Sequence, residues 1–173
     1  YVLALLSDSS DAESPVENVS DRKIAEAMLE TFLNAQGRIV VACVASNILR
    51  IQQVINAAYE SGRKIFLTGS ELEEIVNIAL SLNKLTVPDK ELIISFNQMK
   101  KLPDNELVIL ETGNAGEPIK ALQKMALGRH RQVNLHEGDL VYIATTPSVA
   151  METQIARTKD LIYRADAEVF EMA

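Results

Sequence analysis

Five apolar runs, at residues 2–6, 39–44, 64–67, 107–110 and 140–144, each end in a short polar cluster that opens a helix-like segment. The clusters are Ser7-Asp8-Ser9, Ala45-Ser46-Asn47, Thr68-Gly69-Ser70, Thr112-Gly113-Asn114 and Thr145-Thr146-Pro147-Ser148. Aliphatic strand, polar turn and amphipathic helix together make the unit of a parallel sheet, because parallel neighbours need a long crossover that a helix supplies. In an open sheet of this kind the turns line one edge, beyond the carboxyl ends of the strands, where ligands bind. Small hydroxyl and amide side chains beside helix N-termini suit phosphate oxygens. The pattern predicts an α/β fold, a doubly wound, mostly parallel sheet with helices on both faces and a polar, anion-friendly rim.

Composition narrows this further. With 173 residues, 47% apolar and 24% charged, the chain is one globular domain with enough length for a substantial core. Aromatics are only 5% and tryptophan is absent, so the core is aliphatic, as suits parallel strands of Val, Ile and Leu. The net charge of −7 argues against nucleic-acid binding by a broad basic field. It leaves room for a narrow phosphate site built from backbone N–H groups and hydroxyls. Cys43, the single cysteine, lies inside a strand run and reads as core filler in a reducing compartment. Residues 1–6 are too few for a signal peptide and lack its charged flank, and no run approaches membrane-spanning length. A cytoplasmic protein with no membrane partner is expected. The sequence opens in mid-strand without a methionine and closes on residues 168–173 without a capping turn, so a piece of a longer protein is expected.

Helical periodicity fills the intervals. Ile24, Met28 and Phe32 share one face of a helix capped by Ser20. Asn47 opens a second, with Ile48, Ile51, Ile55 and Ala58 in a stripe. Residues 71–82 form a third that buries Leu72, Ile75, Ile78, Ala79 and Leu82; a fourth runs from near Pro118 to Gly128, and the last spans 153–165. Gly37, Gly62 and Gly128 stand where helices stop, and glycine's left-handed conformation turns the chain cheaply there. The runs 91–96 and 167–170 add short strands, 132–135 another between the two histidines, and 96–102 a brief amphipathic helix. The polar stretch 11–19, with Pro15, is a surface loop.

Asp8, at the end of an apolar run, can ligate a metal or orient a histidine by accepting its N–H. It can equally be a turn acid bonded to its own backbone. Thr112-Gly113-Asn114-Ala115-Gly116-Glu117-Pro118 puts two glycines in a strand-to-helix turn, where successive N–H groups can form an anion nest. It has neither the Walker lysine nor the GxGxxG spacing, so it is no P-loop or dinucleotide fingerprint. Glu117 can also simply complement the positive end of the helix that follows. His130 and His136, the only histidines, are expected on a surface loop, and no HxHxDH, HExxH or CxxC spacing supplies a metal cage. Arg129-His130-Arg131, the densest basic cluster, is either a phosphate contact or a solvated loop, and Arg50 carries the same two readings.

Read together, several stretches resemble the β-CASP domain of bacterial ribonuclease J. They are Leu5-Leu6-Ser7-Asp8-Ser9, Val44-Ala45-Ser46-Asn47-Ile48-Leu49-Arg50-Ile51-Gln52-Gln53-Val54, Gly62-Arg63-Lys64, Leu102-Pro103-Asp104-Asn105, the Thr112–Pro118 turn, Gly128-Arg129-His130-Arg131-Gln132 and Glu137-Gly138-Asp139. The resemblance runs in order through nearly the whole chain and implies a β-CASP domain over 1–173. In that family the domain is inserted into a metallo-β-lactamase domain that carries a two-zinc site through HxHxDH, and it closes the cleft over RNA. Such enzymes are 5′→3′ exonucleases and endonucleases of RNA processing and decay, with a junction pocket that prefers a 5′-monophosphate. The implied partners are RNA, the metallo-β-lactamase domain of the same chain, and a ribonuclease J paralogue in a homo- or hetero-oligomer. Two zinc or other divalent ions are implied for the parent protein and none for this fragment, which alone is expected to cut no RNA.

The resemblance also assigns residues. Asp8 matches the family's acid set against the catalytic histidines, and Ser46 and Asn47 match a turn near the RNA 5′ end. Gly113, Gly116, Glu117 and Pro118 match the turn usually written TGSQGEP, with Asn114-Ala115 in place of Ser-Gln. Thr145 and Thr146 fall where Ser-Ser-Ser-Pro-Ile-Pro-Gly-Asn is usual, and Met151 replaces its final asparagine. Val44 replaces a phenylalanine suited to stacking, and Gly69-Ser70-Glu71-Leu72 replaces Gly-Arg-Ser-Met. Losing an arginine, an aromatic platform and an asparagine from one rim weakens phosphate binding and stacking by roughly 1–3 kcal/mol each where the groups are engaged. This pattern resembles a second, weakly active paralogue that partners an active one. Besides an RNA clamp, two readings stay open: a paralogue's domain acting mainly as a structural partner, and a free-standing α/β module that binds a nucleotide or sugar phosphate.

Overall fold

The computed structural model describes residues 19–69, 72–144 and 148–171. The run 2–6, Ser7, Asp8, Ser70, Glu71, Thr145 and Thr146 therefore lie outside the described residues. Within them the chain alternates helix and strand: α1 (Val19–Asn34), β1 (Ile39–Val44), α2 (Ile48–Ser61), β2 (Lys64–Thr68), α3 (Leu72–Ser81), β3 (Ile93–Ile94), α4 (Phe96–Met99), a 3-10 turn at Asp104–Glu106, β4 (Leu107–Gly113), α5 (Glu117–Ala126), β5 (Leu140–Ala144), α6 (Val149–Arg164) and β6 (Glu168–Val169). The strands form one sheet in the order β3-β2-β4-β1-β5-β6, and every pairing is parallel.

Alternation along each strand makes two cores, since successive side chains point to opposite faces. Ile39, Val41 and Cys43 of β1, with Val108 and Leu110 of β4, meet Met28 and Phe32 of α1 and Ile51, Val54, Ile55 and Ala58 of α2. Val40 and Ala42, with Leu107 and Ile109, meet Leu122 and Met125 of α5 and Ile162 of α6. The chain moves one way across the sheet from β1 to β3 and the other way from β4 to β6. Crossovers of one hand must then place the two sets of helices on opposite faces.

Local chemistry fixes several ends. The Asn47 side chain accepts from Arg50 N at 3.1 Å and caps α2, which stops at Gly62 with φ +76°. Ser95 and Gln98 form a reciprocal capping box on α4. Gly128, at φ +71°, also turns the chain as expected, but Gly37 does not take a left-handed conformation. A Cβ there would lie 2.0 Å from the Gly138 carbonyl oxygen, so Gly37 is a glycine because two loops touch.

Other expectations are corrected. Ser20 lies inside the first turn of α1 and is not its cap, and α6 starts at Val149 rather than 153 because Ser148 already has extended backbone. Ile78 and Leu82 are 51% and 63% exposed, whereas Val76 and Ala79 are buried. The inward stripe of α3 is thus rotated from the predicted one; the side chains of Leu72 and Ile75 lie outside those described. Residues 132–135 are not a strand: Leu135 N donates to Met125 O of α5, while Val133 and Leu135 plug the second core from an irregular segment.

The amino-terminal edge of the sheet is held by two buried arginines. Arg63 is 2% exposed and donates to the carbonyls of Phe32, Ala35, Gly37, Asp104 and Leu107. The first two lie at the C-terminus of α1, the negative end of its dipole. Arg38 makes a bidentate pair with Asp139 at 2.9 and 2.6 Å, and Asp139 also accepts from His136 N. The Gly62-Arg63-Lys64 and Glu137-Gly138-Asp139 stretches are therefore architectural.

Candidate functional site

At the carboxyl edge the turns gather as the strand pattern requires. Val44 pairs with Gly113, and Ala45 N donates to Gly113 O at 3.0 Å, which sets the Ser46-Asn47 turn beside the Gly113–Gly116 turn. Ser46 is exposed there, while Asn47 spends its side-chain oxygen on the α2 cap. Gly116 precedes α5, Pro118 falls in its first turn, and Ala115 has φ +41°. Glu117 folds back so that its Oε2 accepts from Asn114 N at 2.8 Å. A Cβ on Gly113 would lie 2.6 Å from that oxygen, so the glycine is what lets the carboxylate close over the turn. The expected anion nest thus has one of its N–H groups engaged by a carboxylate of its own chain.

Beside this turn the structure assembles a group that the sequence reading missed. Glu111 follows Leu107 and Ile109 in inward phase on β4, sits opposite Thr68 of β2, and is only 4% exposed. His130 reaches over from the loop after α5 and places Nε2 3.8 Å from Glu111 Oε2. Its Nδ1 accepts from the backbone N–H groups of Gln132 and Val133, both at 3.1 Å, so the ring proton sits on Nε2 and faces the acid. His130 is therefore a largely buried, positioned ring and not the surface loop histidine expected; His136 is half exposed. The Thr68 hydroxyl, in contact with the Glu111 carboxyl, also lies 3.2 Å from Gln132 Oε1, and its single proton serves only one of them.

Glu111 Oε2 has no hydrogen-bond partner among the described residues. Burial pushes the carboxyl up to about 7, helped by the nearby Glu117 and opposed by Thr68 and Lys124. Burial, with Lys124, pulls His130 down and keeps it neutral. A signal was present in the sequence: an acid at an inward position of an aliphatic strand, one turn of chain before a glycine loop. Thr68, Glu111 and His130 open into a cavity of about 820 Å³ whose mouth carries Lys120, Lys124, Arg129 and Arg131. Arg50, by contrast, is held by Gln53 on α2. Cys43 is fully buried, and burial raises its thiol to about 11, which leaves it inert as a nucleophile. Among the described residues no group of three or more His, Cys, Asp or Glu is placed to hold a metal ion.

An all-parallel α/β domain with one edge architectural and the other an open polar rim belongs to the class that binds ligands at its strand ends. The family can be stated directly. Residues 36–162 match the model of the ribonuclease J β-CASP domain, and the chain belongs to that family. It is 52% identical over 168 residues to ribonuclease J 2 of Streptococcus pyogenes, 44% to ribonuclease J2 of Bacillus subtilis and 41% to ribonuclease J 2 of Staphylococcus epidermidis. Each match covers 97% of this chain and 30% of the relative, so the chain spans under a third of their length. All three relatives carry the number 2 in their names.

Proposed function

We propose that this chain is the RNA-clamping part of a ribonuclease J-type nuclease, with the phosphodiester chemistry performed by a metallo-β-lactamase domain of the same protein. The observation that carries the reading is the juxtaposition of the Ser46-Asn47 and Gly113–Glu117 turns at one sheet edge. These two turns are distant in sequence and are both family motifs. In this reading Ser46, Asn47, Gly113, Asn114, Gly116 and Glu117 line the RNA path, with Asp8, Thr145 and Thr146 contributing from outside the described residues. Two zinc or other divalent ions would supply the attacking water in the companion domain. The described residues do not fit that metal pair, so no catalytic step is assigned to them. The setting proposed is the cytoplasm.

The test is binding of a 5′-monophosphorylated RNA oligonucleotide to the full-length protein. Ser46 is exposed, so Ser46→Glu leaves the fold intact while placing a negative charge on the RNA path. An affinity loss of about ten-fold or more is expected; unchanged affinity would remove this edge from the RNA path. Val44 and Asn114-Ala115, where the family usually has Phe and Ser-Gln, favour a second reading, a weakly active paralogue that works mainly in a complex with an active one. Under that reading Val44→Phe strengthens RNA binding, and an unchanged affinity would count against it.

A further inference from the structure

We propose that the cavity between Glu111 and the 129–132 loop is a guanine-nucleotide subsite, in which Glu111 and His130 read the base and the basic mouth holds the phosphate. The inference rests on the RNA reading only for the source of the nucleotide. Three observations converge on it. The floor presents a carboxylate oxygen that is buried and unpartnered, so it is an acceptor waiting for a donor. Next to it, 3.8 Å away, stands an imidazole N–H fixed as a donor by the two backbone amides on its other nitrogen. The mouth carries Lys120, Lys124, Arg129 and Arg131 against the acids Glu111 and Glu117, in a chain whose net charge is −7. That local reversal of sign selects an anion, whereas the floor selects a neutral group rich in donors.

A nucleotide meets both demands, and guanine meets the floor best. Its pairing edge runs O6, N1–H, N2–H₂: one acceptor followed by donors. O6 would accept from His130 Nε2–H, and N1–H and the N2 amino group would donate to the Glu111 carboxylate. Adenine and cytosine offer one amino donor beside an acceptor and leave the carboxylate half-satisfied. A cavity of about 820 Å³ is of nucleotide size. A metal ion is a poorer occupant, because the Glu117 carboxylate is engaged by Asn114 N, and Glu111 and one imidazole face four cations.

Calorimetric titration of the whole chain with GMP, IMP and AMP tests the base, and RNA hexamers of adenosine with or without one guanosine test the source. GMP should bind at least ten-fold more tightly than IMP, which lacks the N2 amino group, or AMP, in line with the discrimination of a bidentate base contact. Glu111→Gln should abolish that preference. Lys120→Ala, on the exposed face of α5, should weaken all three nucleotides alike and keep the preference. Should Glu111→Gln fold poorly, His130→Gln serves in its place and should reduce the preference for GMP and IMP over AMP. Guanosine-dependent hexamer binding places the subsite on the RNA path. GMP binding with no guanosine effect in the hexamer keeps the subsite and assigns it a free nucleotide, against the clamp at this position. Equal binding of GMP and AMP, an unchanged preference in Glu111→Gln, or no binding of GMP or the guanosine hexamer overturns the proposal.

Discussion

Glu111→Gln should turn a pH-dependent liability into a pH-independent contact. In the native state burial raises the carboxyl from 4.5 to about 7. The folded protein therefore holds that proton more tightly than the unfolded chain. The group's contribution is full below about pH 4.5 and is lost as the pH rises toward 7, above which the loss is constant. At about 1.4 kcal/mol per pH unit the total is roughly 3 kcal/mol, most of it lost between pH 5 and 8. Glutamine keeps the shape and carries no charge, so its stability should lack this slope. His130 acts in the opposite sense, losing stability as it is forced to charge at low pH, but it is present in both proteins and largely cancels in their difference. Urea unfolding at pH 5, 6, 7 and 8 measures that difference. The variant should gain about 2–3 kcal/mol on the parent between pH 5 and 8, a midpoint change of about 1–2 M urea. Parallel curves for the two proteins would show that Glu111 keeps an ordinary pKa and that its buried oxygen is solvated.

Arg63→Met removes a buried cation that five carbonyls share and should destabilise the chain by about 3–4 kcal/mol, read by urea midpoint, with no change in nucleotide binding. Asn47→Ala removes the α2 cap and should cost about 1 kcal/mol; a free-energy change near zero would mean that Asn47 serves the rim alone. Cys43 should react with an aromatic disulfide reagent only as fast as the chain unfolds, at every pH up to 9, and rapid labelling of the native protein would contradict its burial.

The sheet was legible because parallel strands buried on both faces read as unbroken aliphatic runs, and each such run in the described residues became a strand. Helix existence was legible for the same reason that α3's buried face was not. Periodicity locates an apolar stripe, but how far an edge helix leans over the sheet depends on neighbours distant in sequence. Gly37 shows a similar limit: its role is set by Gly138, a hundred residues away, and local rules for helix ends cannot reveal it. His130 was misjudged because its basic neighbours suggested solvent, whereas its Nδ1 is tied to the backbone and its ring turned inward. Glu111 was missed because the apolar run before it ended the strand too early by the sequence pattern alone.

The family stretches fall into two groups once placed on the sheet, and the division has a physical reading. Gly62-Arg63-Lys64, Leu102-Pro103-Asp104-Asn105 and Glu137-Gly138-Asp139 meet at the amino edge, where each buried charge has a full set of partners. Ala45-Ser46-Asn47, the glycine turn and Gly128-Arg129-His130-Arg131-Gln132 meet at the carboxyl edge. There Glu111 Oε2 and Thr112 Oγ1 lack partners among the described residues. Unsatisfied buried polar atoms cost stability, so a fold that confines them to one edge keeps that cost where a ligand can relieve it. The Glu111 slope with pH and the guanine preference are then two measurements of one quantity, the solvation that this carboxylate lacks. A nucleotide that binds through Glu111 should shift its titration below about 7 and flatten the pH dependence of stability, as glutamine does. If saturating GMP left that dependence unchanged, the binding and the buried carboxylate would be unconnected, and the carboxyl edge would have to act through its exposed turns alone.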